Sequence, residues 1–412
     1  MELKTKYQYT YFIYPYIINK KEYNQYLQKL VIDSRFKIKT FDKEKDEDLY
    51  SYFLPKIRET LFWTMNFDKY RLSKFDEIDK NMKSTVLSKY PCTMFEYNLP
   101  NDIQGKAGKK DGIFFNITNI DLICFNTGIC FLLMKTILEE GNTLSDVCNF
   151  NYKFRDIKSD AYDFRGYENI KIQTDRFNNI KEITTLIKEI TGNNKEAIKL
   201  NLDTDRFITY SYACIGQEDW NENTNNELLK KEFYKFANVE SADYIIDSGN
   251  SEIKNNMSII EKSKNEIYGC SNVGTILLTS DVNSENYTKV PHKFERQYLY
   301  QYIFNLYKKI YLKKINYDLR KVDKLKTAKQ EFIYFTQDIW IEEITNDNIG
   351  TLLDKEWKKI LKLQELYIQV KNKYDLLYKN SNIEETAQTN KVIVIILILL
   401  LLMNIISIFK LF

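Results

Sequence analysis

The residues with the clearest potential for chemistry are basic and lie in two places. Gly105-Lys-Ala-Gly-Lys-Lys-Asp-Gly112 sets Lys106, Lys109 and Lys110 among three glycines. Glycines expose backbone N–H groups and lysines add charge, so the run resembles a cradle for an anion, such as a nucleotide or a lipid head group. It does not fit the G-x-x-x-x-G-K-[ST] pattern of a phosphate loop. A flexible connector ahead of a strand at Ile113 is the simpler reading. The second cluster is Lys308, Lys309, Lys313 and Lys314, followed by Arg320, Lys321, Lys324 and Lys326. It reads either as a solvated helix face or as a surface for anionic head groups or a polyanionic ligand.

Catalytic signatures are missing. His292 is the only histidine, which excludes a multi-histidine metal site and leaves little room for a Ser-His or Cys-His pair. The cysteines Cys92, Cys124, Cys130, Cys148, Cys214 and Cys270 form no C-x-x-C pair and sit among apolar residues, as buried thiols of a reducing compartment do. Carboxylate pairs such as Glu342-Glu343 and Asp203/Asp205 carry no mark of an acid–base couple, and there is no H-E-x-x-H, G-x-S-x-G or dinucleotide fingerprint. The sequence is therefore not read as an enzyme, and no cofactor is identified beyond a nucleotide as a ligand. A net charge of +3 gives no reason to expect general nucleic-acid binding.

The elements that would position these residues differ along the chain. All five prolines lie at or before Pro291, and Gly350 is the only glycine after Gly274. Up to about residue 290, strand-like pieces (Tyr7 to Ile18, Phe36 to Phe41, Met94 to Asn98, Phe207 to Cys214, Thr275 to Thr279) alternate with helical ones (Lys21 to Val31, Tyr50 to Trp63, Asn179 to Ile190, Glu227 to Phe236). The run Tyr11 to Ile18 is broken by Pro15 and lacks a cleavage site, so a buried strand fits it better than a secretory signal. Ile113 to Ile137 reads as a hairpin closed by Asn126-Thr127-Gly128, since Asp121, Asn126 and Lys135 are costly within lipid. The fold class expected is α+β.

Past residue 290, helix breakers nearly vanish. A first helix from about Lys293 carries the seam Leu299, Ile303, Leu306 and Ile310, and a second runs over Ala328 to Ile344. A third spans Thr351 to about Lys379, where Leu353, Ile360, Tyr367 and Tyr374 interlock with Leu363, Val370 and Leu377. Two offset heptad series suit a helix packed along another, in the same chain or across an oligomer. Ser381 to Asn390 reads as a polar hinge. Val392 to Phe409 is an uncharged run of eighteen residues between Lys391 and Lys410. At about 1.5 Å per residue it can cross a hydrocarbon layer of about 30 Å. Asn404 and Ser407 within it sit either near an interface or against a copy of themselves in an oligomer. The expected organisation is a cytosolic α+β domain over 1–290, a helical domain over 291–380, the hinge over 381–390 and a transmembrane tail anchor over 391–412. The bulk of the chain is then cytoplasmic on a single-pass, homo-oligomeric membrane protein whose partner is lipid.

That order of parts resembles CorA-type divalent-cation transporters, and Phe294-Glu-Arg-Gln-Tyr-Leu-Tyr-Gln-Tyr-Ile-Phe-Asn-Leu-Tyr-Lys308 with Phe332 to Leu377 looks like the helical part of CorA-like bacterial membrane proteins. Some of those act in antiviral defence, gated by nucleotide signals. The resemblance implies a membrane effector that senses a ligand and perturbs or conducts ions. The family carries two spans and a Gly-Met-Asn loop, whereas here Leu402-Met403-Asn404 lies inside the single span without the glycine. No pore residue carries over, and a magnesium filter is not implied. The alternative is a membrane-tethered scaffold that recruits a cytosolic partner.

Overall fold

A computed structural model describes residues 3–99, 103–107, 113–139, 142–157, 171–174, 177–192, 194–216, 218–220, 226–246 and 257–409; the side chains of 171–182, 226–227, 379–390 and 399–409 are outside the description. The contacts divide the chain into two units. Unit 1 comprises Met1–Tyr311 and Ile341–Lys362, and unit 2 comprises Leu312–Trp340 and Leu363–Phe412.

Unit 1 is mixed α/β. Its strands, in chain order, are β1 (Thr5–Ile17), β2 (Phe36–Ile38), β3 (Cys92–Tyr97), β4 (Ile103–Ala107), β5 (Ile113–Phe125), β6 (Ile129–Leu138), β7 (Lys171–Thr174), β8 (Phe177–Glu182), β9 (Ile208–Ile215), β10 (Met257–Ser263), β11 (Glu266–Ser271) and β12 (Gly274–Ser280). Among the described residues they form one sheet in the order β10-β11-β12-β9-β1-β6-β5-β4-β7-β8, with β3 also on β5 and β2 beyond it. Among the described residues only β12 and β9 run parallel. The hairpin expected from Ile113 to Ile137 is β5–β6, and Gly128 closes it at φ +86°, where a Cβ would strike the Ile18 carbonyl. This is the left-handed region that glycine enters without steric cost.

Pro15 sits in β1, a central strand, where a proline ordinarily breaks the ladder. The pairing with β9 has already ended at Ile13, so the missing N–H costs nothing on that side. Asn194 stands in for the absent strand: its Oδ1 accepts from the Ile17 N–H at 3.0 Å and its Nδ2 donates to the Pro15 carbonyl at 3.0 Å.

Alternation along β1 assigns the two faces of the sheet. Thr10 and Phe12 point toward helix Leu144–Arg155, where Phe12 meets Phe150, Phe154 and Phe207. Helices Tyr23–Ile32, Ile183–Thr191 and Asn226–Asn238 bury their apolar sides in the same core. Tyr9 and Tyr11 point to the other face, covered by the helix that begins at Lys289 and continues as Leu299–Asp318. Tyr210 stacks on Phe294 with centroids 4.1 Å apart, and Phe125 on Tyr307 at 3.7 Å. Two expectations fail in this unit. The helix read over Tyr50 to Trp63 is two, Glu47–Tyr52 and Pro55–Leu61, because Phe53 bridges to Thr345 between them. The helix read from Asn179 is the strand Phe177–Glu182 followed by helix Ile183–Thr191.

The boundary expected at residue 290 is not where the units divide. Helical residues up to Tyr311, and helix Asn348–Ile360, belong with the sheet. The third helix read from Thr351 to Lys379 is interrupted: helix Asn348–Ile360 ends, Lys362 takes φ +53°, and helix Leu363–Phe409 begins. The backbone of 381–390 continues that last helix, so the polar run is helical and not a break in it. The second helix ends earlier than Ile344, running over Leu325–Tyr334 and widening through Phe335–Ile339. In unit 2 the heptad residues pack within the chain: Tyr374 lies against Phe332 (centroids 5.0 Å) and Tyr367 stacks on Trp340 at 4.4 Å.

Candidate functional site

Helix Leu299–Asp318 carries the expected apolar seam Leu299, Ile303, Leu306 and Ile310, all buried. Beside it runs a second stripe that is polar. Gln301, Asn305 and Lys308, at spacings of four and three, are 0%, 0% and 1% exposed. Polar groups so deep are stable only when paired. Gln301 Nε2 donates to the Gly350 carbonyl at 3.0 Å, while its Oε1 accepts from the Tyr52 hydroxyl. Asn305 Nδ2 donates to Asp354 Oδ1 at 2.8 Å, and Lys358 pairs with the other oxygen of that carboxylate at 2.6 Å. Lys308 Nζ donates to the Ile341 carbonyl at 2.9 Å and lies over the Phe304 ring at 4.7 Å. Burial brings Lys308 down to about 7, with Asp354 opposing the shift and Lys358 adding to it. Asn305 Oδ1 is buried with no hydrogen-bond partner among the described residues.

One turn earlier, charge ties the same helical run to the sheet and the loops. Lys135 of β6 pairs with Glu295 at 2.6 Å. Arg296 reaches Asp46 at 2.6 Å and Asp48 at 2.9 Å. Lys39 donates to Asp121 at 3.0 Å; burial works against its charge, but Tyr300 and Asp121 hold its pKa above the ordinary lysine range. Lys293 and Tyr298 both reach Asp347, at 2.7 and 3.2 Å, and that carboxylate caps helix Asn348–Ile360 through the Gly350 N–H. These contacts position the helix. None presents a nucleophile beside a base, so they offer no covalent chemistry.

The sequence-predicted anion residues do not converge on this arrangement. Gly105 and Lys106 belong to β4, so the glycine–lysine run starts inside a strand. A Cβ at Gly105 would enter the Phe115 ring, so that glycine answers to packing. Lys106 lies 5.6 Å from the Phe114 ring, and Lys109 and Lys110 fall outside the described residues. Of the second cluster, Lys308 is buried and cannot meet a head group, and Lys309 is half-buried. In unit 2, Lys314 is 2.7 Å from Glu331, and burial lowers the pKa of Lys313. Two lysines of this cluster therefore depart from a solvated or head-group-facing surface, Lys308 because it is buried and Lys314 because it pairs with Glu331. All six cysteines are buried free thiols. Burial raises each of Cys92, Cys130, Cys148, Cys214 and Cys270, the last to about 12. Among the described residues no cluster of His, Cys, Asp and Glu could hold a metal.

An open cleft of about 920 Å³ in unit 1 lies along β2 and the helices near it. Lys37, Lys80 and Lys83 line it with Asp33, Asp76 and Glu96, together with Phe36 and Tyr97. Its charges balance, and Asp33 is already held by Arg35 at 2.5 Å. The size suits a small ligand, but the lining does not single out an anion. No spacing signal in the sequence points to it, because its residues come from separate elements.

The last helix carries the most unusual surface. Val392, Ile393, Val394, Ile395, Ile396, Leu397 and Ile398 follow one another, each about half exposed or more. Consecutive residues step by about 100° around a helix, so apolar groups cover its whole circumference. Described side chains stop at Ile398; those of Asn404 and Ser407 lie outside the description. Among the described residues no helix is long and apolar enough to cross a membrane. No family model, curated protein or solved structure matches this chain.

Proposed function

We propose that the chain is a membrane effector: residues 392–409 enter a bilayer, unit 1 senses a ligand, and the assembled oligomer perturbs or conducts ions in the manner of CorA-like proteins. The observation that carries this reading is the ring of exposed aliphatic side chains from Val392 to Ile398. Fully covering a large aliphatic side chain contributes about 1.5–3 kcal/mol, so seven that are about half exposed leave roughly 5–10 kcal/mol to be recovered from lipid or from other copies. A helix apolar all round is at home in a bilayer or in the centre of a bundle, and unpartnered in water it is an aggregation site. The function is conformational, with no covalent step, and the cleft lined by Lys37, Lys80 and Lys83 offers a place for the ligand.

The test compares the full chain with one ending at Asn390. The full chain is expected in the alkali-resistant membrane fraction, as an oligomer in detergent, and to release ions from loaded liposomes. A full chain that is monomeric and leaves liposomes tight sinks the effector reading. A second reading, a tethered scaffold, is favoured by the exposed Ile368, Leu376 and Tyr378 on helix Leu363–Phe409. A scaffold cut at Asn390 keeps its partner, whereas an effector cut there loses its membrane activity.

A further inference from the structure

The interface between helices Leu299–Asp318 and Asn348–Ile360 is polar where it is most buried, and Lys308 is its one fully covered cation among the described residues. Its ammonium nitrogen donates to Ile341, the residue at which the chain re-enters unit 1. That bond therefore pins the return segment 341–347 at its first residue. Further along, the segment is held by Thr345 Oγ1, which donates to the Tyr52 carbonyl at 2.6 Å, and by the Lys293–Asp347 pair. The charged groups facing Lys308 are Asp354 and Lys358, both on helix Asn348–Ile360 and paired to each other at 2.6 Å. Asp354 is shared with Asn305 as well, so its charge is already divided. Lys308's own helix supplies the Phe304 ring, and the return segment supplies the carbonyl.

We propose that Lys308 is a proton-controlled latch: without its extra proton it holds the return segment closed, and with that proton it favours release of the segment into water. Every residue in the device belongs to unit 1, so it does not rest on the membrane reading.

The sign follows from linkage. In the closed state Lys308 titrates near about 7, because burial disfavours the charged form. Once released into water it titrates near about 10.4. Below the closed-state value both states carry the proton, and opening is at its easiest. Between the two values the open state binds more protons, so closure tightens as pH rises. Linkage then gives roughly a tenfold fall in the opening constant between about pH 6 and pH 8.

The experiment is hydrogen–deuterium exchange on the full chain in detergent at those two pH values. Exchange in peptides covering 341–347 is corrected for intrinsic chemistry and referenced to β6. In the unaltered protein, protection of 341–347 is expected to rise roughly tenfold from about pH 6 to pH 8. In Lys308→Met, which keeps the stem but removes both the proton site and the bond to Ile341, protection is expected to be lower and the same at both pH values. A flat profile in the unaltered protein, or an unchanged slope in Lys308→Met, overturns the latch. Lys308→Arg, charged throughout, is expected to show an open segment at both pH values. If Lys308→Arg does not fold, Lys308→Met still decides the question.

Discussion

At the scale of single residues, the positions that matter most are those where one side chain replaces a whole element. Asn194 does this on β1. The ladder from β9 stops at Ile13, yet β1 runs on to Ile17, and the carboxamide of Asn194 meets the Ile17 N–H and the Pro15 carbonyl as a neighbouring strand would. Its Nδ2 also lies 3.3 Å from the Tyr14 hydroxyl. Removing the amide leaves a strand end partly buried with its groups unmet, and each unmet buried group costs about 1–3 kcal/mol. Asn194→Ala is therefore expected to lower the stability of unit 1 by about 1–3 kcal/mol in urea unfolding. Asn194→Asp, which turns an acceptor oxygen toward the Pro15 carbonyl, should be no more stable than Asn194→Ala. If Asn194→Ala unfolds at the same urea concentration as the unaltered protein, the side chain is not supporting the strand. The polar stripe Gln301, Asn305 and Lys308 carries a sequence signal of its own. Its spacing of four and three is that of a buried helical face, but the parallel apolar seam accounted for the helix and drew the lysine to the surface.

At the scale of elements, the sequence conveyed which segments are strands and helices better than it conveyed how they group. Strands rich in β-branched and aromatic residues and buried along nearly their whole length are visible from residue type alone, as in β1, β9 and β12. The loss of Pro and Gly after Pro291 truly marks a change to long helices. That loss says nothing of which body a helix packs against: helix Asn348–Ile360 lies in the stretch poor in helix breakers, yet its Trp357 donates to Thr275 of β12 at 2.9 Å. The heptad pattern had a similar blind spot. Leu353 and Ile360 share a period with Tyr367 and Tyr374, but the chain breaks between them at Lys362, whose φ of +53° no glycine or proline announces. A lysine held in the left-handed region pays about 1–2 kcal/mol that a glycine would not. Glycine loses part of that gain to its freer unfolded chain. Lys362→Gly is thus expected to stabilise the protein by about 0.5–1 kcal/mol, measured by urea unfolding, with Lys362→Ala giving no gain. Equal gains from both would mean that the lysine side chain, and not its backbone angle, is the source of strain.

At the scale of the whole molecule, the chemistry of the cysteines reports on one unit alone. Cys92, Cys124, Cys130, Cys148, Cys214 and Cys270 are all buried, and all lie in unit 1. A thiol reacts as its thiolate, and burial without a nearby cation suppresses that form. For Cys270 the shift to about 12 means that little thiolate exists even at mildly alkaline pH. Cys92 and Cys130 are pushed up by burial and by the neighbouring Cys124. Labelling should therefore require opening of the sheet, not mere access to a surface. In native buffer near about pH 8, a water-soluble disulfide reagent is expected to modify the six thiols far more slowly than in urea, where cysteines titrate near about 8.5. The labelling transition should follow the fluorescence of Trp63, Trp220 and Trp357, which share unit 1, and Trp340 of unit 2 should be replaced by Phe to isolate that signal. The thiols all belong to unit 1, so their protection is expected to survive cutting the chain at Asn390 even where membrane behaviour changes. Rapid native labelling of the full chain would place the cysteines in a looser core than the sheet describes. Loss of protection only on removing the tail would mean that residues 391–412 help to hold unit 1 closed.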